Sequence, residues 1–397
     1  MASLAFAGII YLLAVREFFA APRFSRRVVV IGLVLAAVWH IEFLRMPAGA
    51  DDDVHRYVWD GRLQRLGYNP YMVVPNDPAV KQLHIPETRT LNNPDLPSPY
   101  PPGAQLFFRA VTAIHESTFA FKVAFVVCDL AIILVLLDVL HRKQQGAHLV
   151  LAFAWNPLLA IEVAGSGHID IVGALLLIAS LAALMRSWRA IAAFTFGLAV
   201  TVKFLPIVLL PLYWKRVRIR DAALGAFVIV FMYVPFLHNG RIPIGSLGTY
   251  IRTFRFNGPV FAALDQVAPP QLLAAFAVLV GLVTAIWLRR GSSELSPGAF
   301  ASPMAASLLC APVVFPWYLL WLLPFLTSAS TLLIVVWTVS IIPTYVMWHL
   351  RTLAGTWGAL PGWVMLLEYG CVAMAGAVIA FRRIAKPPVQ CSTKEVV

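Results

Sequence analysis

The most reactive group of side chains in the sequence is a run of three carboxylates, Asp51, Asp52 and Asp53, that directly follows an apolar stretch. Like charges this close repel one another, so at least one of the three pKa values is expected to rise unless a cation such as Arg56 stabilises the charged form. A carboxylate at the boundary between water and lipid can act as a general base. The alternative, which the spacing leaves open, is a solvated loop start whose aspartates cap a helix.

A histidine and an aspartate follow a turn of small residues at 165–167. His168 and Asp170 lie at the end of an apolar stretch, where ionisable groups are expensive and therefore indicate function. They are placed to orient a phosphate or a sugar hydroxyl. A plain helix start, with Asp170 near the positive amino end, is the alternative.

Lys203 lies within an apolar stretch, where an unpaired ammonium group is costly. We expect it to pair with a phosphate or a loop carboxylate, the alternative being a side chain that extends to the membrane interface. Arg241, Arg252 and Arg255 are expected on the same side of the membrane. An anionic lipid phosphate is a fitting common partner for these cations.

Aromatic residues and prolines form a third kind of candidate. Trp317 and Tyr318 follow Pro316, and by themselves they indicate an aromatic belt at the membrane interface. Segments rich in proline and tyrosine at 67–71 and 98–103 favour a folded, partly interfacial loop whose rings could stack on a sugar. Simple loop rigidity explains these segments equally well.

The composition indicates that membrane helices position these residues. The chain of 397 residues is 60% hydrophobic and 13% charged, which is too little polar surface to cover a soluble globule. Membrane topology explains the formal charge of +12 better than a nucleic-acid partner does. The cysteines have neither pairing nor metal-ligand spacing, so we expect no disulfide and no zinc site; they are Cys128, Cys310, Cys371 and Cys391.

Apolar runs of about 20 residues predict the membrane spans. They fall at 3–20, 28–46, 119–140, 149–165, 168–186, 190–214, 221–237, 271–288, 298–314, 317–347 and 363–381. The first is interpreted as a span and not as a signal peptide, because no basic region precedes it. The runs at 190–214 and 317–347 are too long for one crossing and contain prolines, so each predicts a broken-helix hairpin.

Short basic connections predict the orientation, since Lys and Arg accumulate in short cytoplasmic loops. With both long runs as hairpins, every basic cluster falls on one side, which gives about thirteen segments, an outside amino terminus and an inside carboxyl terminus. These clusters lie at 23–27, 142–143, 186–189, 215–220, 289–290 and 382–386. The outer face then receives the long first loop and the candidate side chains described above.

Taken together, these segments resemble the GT-C superfamily of polyprenyl-phosphate-sugar-dependent glycosyltransferases, and in particular bacterial members near glycosyltransferase family 87 and the phosphatidylinositol-glycan mannosyltransferases. The similarity spans much of the chain and rests on short motifs in a shared order. They are the acidic run with Arg56-Tyr57 and Trp59-Asp60-Gly61, Asn69-Pro70-Tyr71, Tyr100-Pro101-Pro102, Asn156-Pro157, Gly167-His168-x-Asp170, Lys203-Phe204-x-Pro206, and Pro316-Trp317-Tyr318 with Trp321 and Pro324.

The resemblance implies an all-α polytopic membrane protein. We expect a GT-C-like bundle of about 11–13 transmembrane helices with a long first outer loop and two broken-helix hairpins. One multi-pass domain is expected over 1–397, with an outer catalytic loop at 47–118 and a cytoplasmic tail at 384–397. The implied location is the bacterial cell membrane, with the active face outside the cytoplasm.

The resemblance also implies a reaction, the inverting transfer of a hexose, with mannose favoured, from a polyprenyl-phosphate sugar to a lipid or glycan acceptor. Asp53 is the first candidate for the general base, with Asp51 and Asp52 as alternatives, and cations would stabilise the departing phosphate. The substrate-binding candidates are Arg56, Tyr57, His168, Asp170, Lys203, Arg255, Trp317 and Tyr318. We predict no cofactor and no metal, although the acidic run could hold a divalent ion.

Two other classes of protein were weighed against an enzyme. A transporter or flippase of a lipid-linked or small anionic substrate would also show broken helices, but with ionisable groups near the midplane and at related positions in two halves. Here such groups gather at the outer loops, and the sequence shows no internal repeat. Nothing in the sequence argues for a non-catalytic assembly subunit. A lipid-linked donor is favoured over a nucleotide sugar because no Gly-rich phosphate loop follows a strand.

Overall fold

The computed structural model describes residues 2–48, 53–292, 294–355 and 358–384, so Asp51, Asp52 and the tail beyond residue 384 lie outside the described residues. The regular structure within these ranges is helical. The α-helices are α1 Ala2–Ala20, α2 Arg26–Arg45, α3 Asp53–Arg65, α4 Pro102–Ile114, α5 Thr118–Arg142, α6 Val150–Ala154, α7 Asp170–Met185, α8 Arg189–Val202, α9 Leu210–Tyr213, α10 Ile219–Met232, α11 Leu247–Thr253, α12 Pro259–Leu264, α13 Pro270–Gly291, α14 Pro297–Leu309, α15 Leu332–Ser340, α16 Val346–Ala354 and α17 Gly362–Ile384.

Seven helical segments of the described chain are long and apolar enough to cross a membrane. They are Ser3–Ala20, Arg26–Arg45, Thr118–Arg142, Ile219–Phe236, Pro270–Gly291, Ala329–Ala354 and Gly362–Phe381, and the pair Ala147–Ala154 and Leu159–Ser166, bent by 59°, is an eighth candidate. The predicted all-α membrane fold is confirmed. Fewer spans than the predicted 11–13 are full-length helices, because the chain at 168–214 and 298–328 folds into shorter or broken helices.

The first predicted break lies at Lys203. Helix α8 ends at Val202, and Lys203 has an extended backbone (φ −156°, ψ 147°). A short 3₁₀ helix, Leu205–Leu209, and α9 follow. Proline lacks the N–H that would continue a helix, so Pro206 and the proline at the start of α9 explain the interruption. Lys203 is therefore placed in a turn and not in the interior of a straight helix.

The second predicted break lies between α14 and α15. Here the chain forms two short 3₁₀ helices, Pro316–Trp321 and Leu323–Phe325. Pro316 and Pro324 each occupy an early position of these helices, where the missing N–H is tolerated. The segment is nevertheless buried, and it brings Trp317 and Trp321 into the centre of the bundle.

The outer loop predicted at 47–118 contains α3 and α4, which pack closely together. A Cβ atom on Gly61 of α3 would lie 2.5 Å from the carbonyl oxygen of Phe108 in α4, so the close approach requires glycine. Gln64 Nε2 donates to the carbonyl oxygen of Gln105 at 2.8 Å across the same interface. The loop is thus a folded unit that holds α3 in a fixed orientation.

A buried lysine ties the end of α2 to α5, just before the outer loop begins. Lys122 Nζ donates to the carbonyl oxygens of Leu44 at 3.1 Å and Met46 at 2.6 Å. A cation at the carboxyl end of a helix satisfies carbonyls that have no helical partner and interacts favourably with the helix dipole. This cap holds the carboxyl end of α2 against α5.

Candidate active site

One cavity of about 870 Å³ brings together side chains from many separate parts of the chain. The predicted site residues on its lining come from five of these parts, which are α3, the start of α7, the break after α8, the segment between α11 and α12 and the second broken stretch. The predicted site residues that line it are Asp53, Arg56, Asp170, Lys203, Arg255, Trp317 and Tyr318. Residues that are distant in sequence therefore face one common space.

Asp53 is the first residue of α3 and lines the cavity. The positive end of the helix dipole favours a negative charge at this position. Its Oδ1 accepts a hydrogen bond from Asn92 Nδ2, which orients the carboxylate. A carboxylate that is held at a helix start and faces a cavity is a candidate for a general base.

Arg56 lies one turn after Asp53 on the same face of α3. It is 2% exposed, and its Nε donates to Asp60 Oδ1 at 3.0 Å. Asp60 is held in turn by Gln105 Nε2 at 2.9 Å and by the hydroxyl of Ser98. Arg56 Nη2 is buried and has no hydrogen-bond partner among the described residues. Other parts of residue Arg56 line the cavity. The guanidinium is therefore prepared to bind an anionic or hydroxyl group of a ligand.

Lys203 and Asp170 form an ion pair at the cavity wall. Lys203 Nζ lies 2.7 Å from Asp170 Oδ1 and 3.0 Å from Oδ2. Trp321 Nε1 donates to the same Oδ1 at 2.7 Å. Asp170 is fully buried whereas Lys203 is 22% exposed, so the ammonium group is the member of the pair that a ligand can reach.

Tyr318 extends this polar wall. Lys203 Nζ lies 4.0 Å from the centre of the Tyr318 ring, a cation–π contact, and the hydroxyl groups of Tyr318 and Tyr250 are 2.9 Å apart. Burial raises the pKa of Tyr318 well above its usual value, and the neighbouring Tyr250, Asp170 and Asp53 raise it further. The phenol therefore stays protonated and can donate a hydrogen bond.

Arg255 supplies a further cation on another wall. Its Nε donates to Asp265 Oδ2 at 2.9 Å and its Nη2 to Asp265 Oδ1 at 3.2 Å, a two-point contact that fixes the guanidinium plane. The neighbouring Phe256 also lines the cavity. The Arg255 guanidinium also donates to the carbonyl oxygens of Ile251, Phe254 and Arg252, so it contributes positive charge to the cavity lining from a fixed position.

Comparisons with known proteins identify the chain. Residues 1–217, more than half of its 397 residues, match the model of the MptA_B family, described as alpha-(1->6)-mannopyranosyltransferase, N-terminal domain. The chain belongs to this family. It is a membrane glycosyltransferase, as predicted. None of the curated proteins matches its sequence significantly.

The fold of this glycosyltransferase is similar to the crystal structure of ArnT from Cupriavidus metallidurans bound to undecaprenyl phosphate. The TM-score is 0.50 at 18% sequence identity, over 91% of this chain and 73% of that chain. At this level of identity the likeness concerns the fold alone. The GT-C fold predicted from the sequence is thereby confirmed.

Two predicted substrate-binding residues of the glycosyltransferase do not line the cavity. Tyr57 is fully buried and stacks on Phe108 with ring centres 4.4 Å apart, so it packs α3 against α4. His168 lies behind Trp317, stacked on its ring at 4.2 Å. His168 Nε2 is 3.0 Å from Glu162 Oε2, whose other oxygen accepts a hydrogen bond from the Tyr345 hydroxyl. Both residues support the site from behind.

Other residues of the site were not among the predicted ones. Asn92, which orients Asp53, lies in a part of the outer loop without a local motif. Asp60 and Trp321 belong to the motifs noted in the sequence, but their partners, Arg56 and Asp170, could not be assigned from spacing. Within the described residues, no three His, Cys, Asp or Glu side chains cluster in a way that could hold a metal ion.

Proposed function

We propose that this glycosyltransferase moves a mannosyl group from a polyprenyl-phosphate mannose to a hydroxyl of a glycan or lipid acceptor, with inversion. The description of its family supports mannose as the sugar, and ArnT, which has a similar fold, was crystallised with undecaprenyl phosphate. The observation that carries the proposal is the cavity, which a carboxylate, Asp53, shares with two cations, Lys203 and Arg255.

In the proposed reaction Asp53 is the general base. It takes the proton of the acceptor hydroxyl as the oxygen attacks the anomeric carbon of the donor. The bond between that carbon and the phosphate oxygen breaks, and the electron pair leaves with the polyprenyl phosphate. Lys203, Arg255 and the unpartnered nitrogen of Arg56 stabilise the negative charge that develops on the phosphate.

The lipid donor and the membrane topology together indicate on which face of the membrane the reaction takes place. A polyprenyl chain stays in the bilayer, so its phosphate can reach a cavity only at the membrane boundary. With both long runs as hairpins, the short basic connections of the sequence are predicted on the side opposite to the outer loop, and the rule for short loops assigns that side to the cytoplasm. We therefore place the reaction on the outer face of the cell membrane.

The experiment that tests the base is transfer from radiolabelled polyprenyl-phosphate mannose by the purified full chain in lipid nanodiscs. We expect Asp53→Asn to lower kcat by about 10²–10⁴-fold, the usual contribution of general base catalysis. Asp95→Asn is the matched control, because Asp95 is an exposed aspartate of the same outer loop and does not line the cavity.

Three results would contradict different parts of the proposal. Wild-type turnover in Asp53→Asn would exclude Asp53 as the base but would not contradict the proposed donor. If the wild-type chain transfers no sugar from this donor, while a polyprenyl-phosphate carrying another hexose is used, mannose is wrong. If no polyprenyl-phosphate sugar supports transfer, the donor class is wrong.

A further inference from the structure

A buried glutamate outside the cavity lining is unexplained by the reaction. Glu368 lies in the membrane span Gly362–Phe381 of α17 and is fully buried. An ionisable side chain inside a membrane span is costly and is retained where it has a partner and a purpose. Glu368 does not line the cavity, so it is not a candidate for contact with substrate.

The partners of Glu368 come from two other elements. Trp337 Nε1 of α15 donates to Glu368 Oε1 at 2.6 Å, and Asn257 Nδ2 donates to Oε2 at 2.9 Å. The hydroxyl of Tyr369, the next residue of α17, donates to the carbonyl oxygen of Asn257 at 2.7 Å. Both the side chain and the backbone of Asn257 are thus held by the same turn of α17.

Asn257 is the link between this buried cluster and the cavity. Its backbone is left-handed (φ 55°), a conformation that asparagine tolerates better than most residues. The residue before it, Phe256, is fixed on both sides, since its N–H donates to Pro312 O at 3.0 Å and its carbonyl accepts from Val314 N–H at 2.8 Å. Phe254, Arg255 and Phe256 are the cavity-lining residues of this segment.

Phe256 also begins an aromatic stack along the cavity wall. Its ring lies 4.5 Å from that of Phe315, and Phe315 lies 4.4 Å from Trp317, centre to centre. All three rings line the cavity. A shift of Phe256 would therefore be passed to Phe315 and Trp317 through direct contact, because a packed wall has little room to absorb it.

We propose that Glu368 is a positioning residue of this glycosyltransferase, which acts through Asn257 to fix Arg255 and Phe256 on the cavity wall. The inference rests on the proposed function, in which this wall holds the donor phosphate and the adjoining lipid. Glu368 touches no substrate. Its carboxylate accepts the hydrogen bond that sets the position of the 254–258 segment against α15 and α17.

The first test compares Glu368→Gln, Asn257→Gly and the double variant in the nanodisc assay. Glycine keeps the left-handed backbone of position 257 but removes the hydrogen bond to Glu368. We expect each single variant to raise the KM for the donor by about tenfold, as the loss of one buried hydrogen bond predicts, and to change kcat by less than about threefold. The effects should be less than additive in the double variant, because both substitutions disrupt the contact between Asn257 and Glu368, although Asn257→Gly also removes the bond from Asn257 Nδ2 to the carbonyl oxygen of Val314.

The second test reports the position of the segment without any substrate. A nitroxide label is attached at Thr253→Cys in a chain whose four native cysteines are replaced by serine, and its mobility is measured by electron paramagnetic resonance. Thr253 is exposed and lines the cavity. We expect a more mobile label in Glu368→Gln and in Asn257→Gly. Glu42→Gln, which removes an exposed glutamate from α2, should leave both the label and the KM unchanged.

The outcomes separate a positioning role from a merely structural one. Folded Glu368→Gln and Asn257→Gly proteins with an unchanged donor KM and an unchanged label would overturn the proposal, as would losses that add in the double variant. If Glu368→Gln does not fold, Asn257→Gly alone decides the question. If the wild-type chain fails to use the donor, the proposed function is wrong, and the label still tests the contact.

Discussion

Lys203 and Asp170 pair across the junction of two helices, with Lys203 Nζ 2.7 Å from Oδ1 of Asp170 at the start of α7. The pair joins the break after α8 to the cavity wall, and Trp321 Nε1 donates to the same carboxylate oxygen. Because Asp170 is fully buried, its charge depends on these two donors. The arrangement gives the site an ammonium group whose position is set before any substrate binds.

The first prediction concerns this pair. Lys203→Met leaves a buried carboxylate with one donor, and Asp170→Asn leaves an ammonium group without its partner, so each should destabilise the fold by about 3 kcal/mol. The double variant should recover part of this loss. Thermal unfolding in detergent, followed by tryptophan fluorescence, measures the effect, and Lys81→Met at an exposed position is the control. Equal melting temperatures in the wild type, both single variants and the double variant would contradict the ion pair between Lys203 and Asp170.

A second prediction follows from the packing of Trp321 on Gly173. A Cβ atom at Gly173 would lie 1.9 Å from the Trp321 ring, and the ring is fully buried, so it cannot move aside easily. We expect Gly173→Ala to destabilise the fold by about 1–3 kcal/mol through overpacking and to weaken the bond from Trp321 to Asp170. Gly370→Ala in α17, where a Cβ meets nothing within 4 Å, should cause no loss of stability.

The third prediction tests the unpartnered nitrogen of Arg56. Arg56→Lys keeps a positive charge beside Asp60 but cannot contact both Asp60 and a ligand, since it lacks the forked guanidinium. Donor KM should therefore rise by about tenfold while the melting temperature changes little. Arg56→Met should lower the melting temperature as well, because Asp60 is fully buried. An unchanged KM in a stable Arg56→Lys protein would exclude Arg56 from substrate binding.

The fourth prediction distinguishes a supporting role for His168 from contact with substrate. His168→Phe preserves a ring stacked on Trp317 and removes the partner of Glu162. We expect a lower melting temperature but a smaller change in KM than Trp317→Ala causes, since Trp317 lines the cavity. Adding Glu162→Gln should restore part of the stability. A KM change in His168→Phe as large as that of Trp317→Ala would show that the histidine contacts substrate directly.

The fifth prediction concerns orientation in the membrane. Single cysteines at Asp95 and Arg290, both exposed, are introduced into a chain without native cysteines. A membrane-impermeant maleimide added to intact cells should label Asp95→Cys, and it should label Arg290→Cys only after permeabilisation. Labelling of both positions in intact cells would place the outer loop and the basic connections on one side and would contradict the proposed face.

The helices and their breaks could be predicted from the sequence because both depend on local properties. An apolar run of about 20 residues fits the bilayer, and the structure has helices at the predicted runs of α1, α2, α5, α13 and α17. Proline removes a helical N–H wherever it stands, so the interruptions near Pro206 and Pro316 could be read directly. The number of full-length crossings could not be predicted, because a short helix that is surrounded by other helices does not need an apolar run as long as the bilayer is thick.

Part of the site could also be predicted, namely charged residues within or just beyond apolar runs. Asp170 and Lys203 were candidates because a charge next to lipid is costly, and Asp53 was one because it belongs to the acidic run and to the family motif. All three line the cavity. Tyr57 was a candidate by its motif alone. It follows Arg56 by one residue, which is about 100° around a helix, so the two side chains leave α3 in different directions. Tyr57 is directed into the core instead.

The sequence by itself determined that this chain is a helical membrane protein, where its helices break and which polar residues stand at the breaks. Only the tertiary structure decided which of those residues meet. Asp170 pairs with Lys203, His168 lies behind Trp317, and Glu368 reaches Asn257, which is 111 residues away in the chain. Spacing specifies the face of a helix on which a side chain lies, whereas its partner depends on how the whole bundle packs.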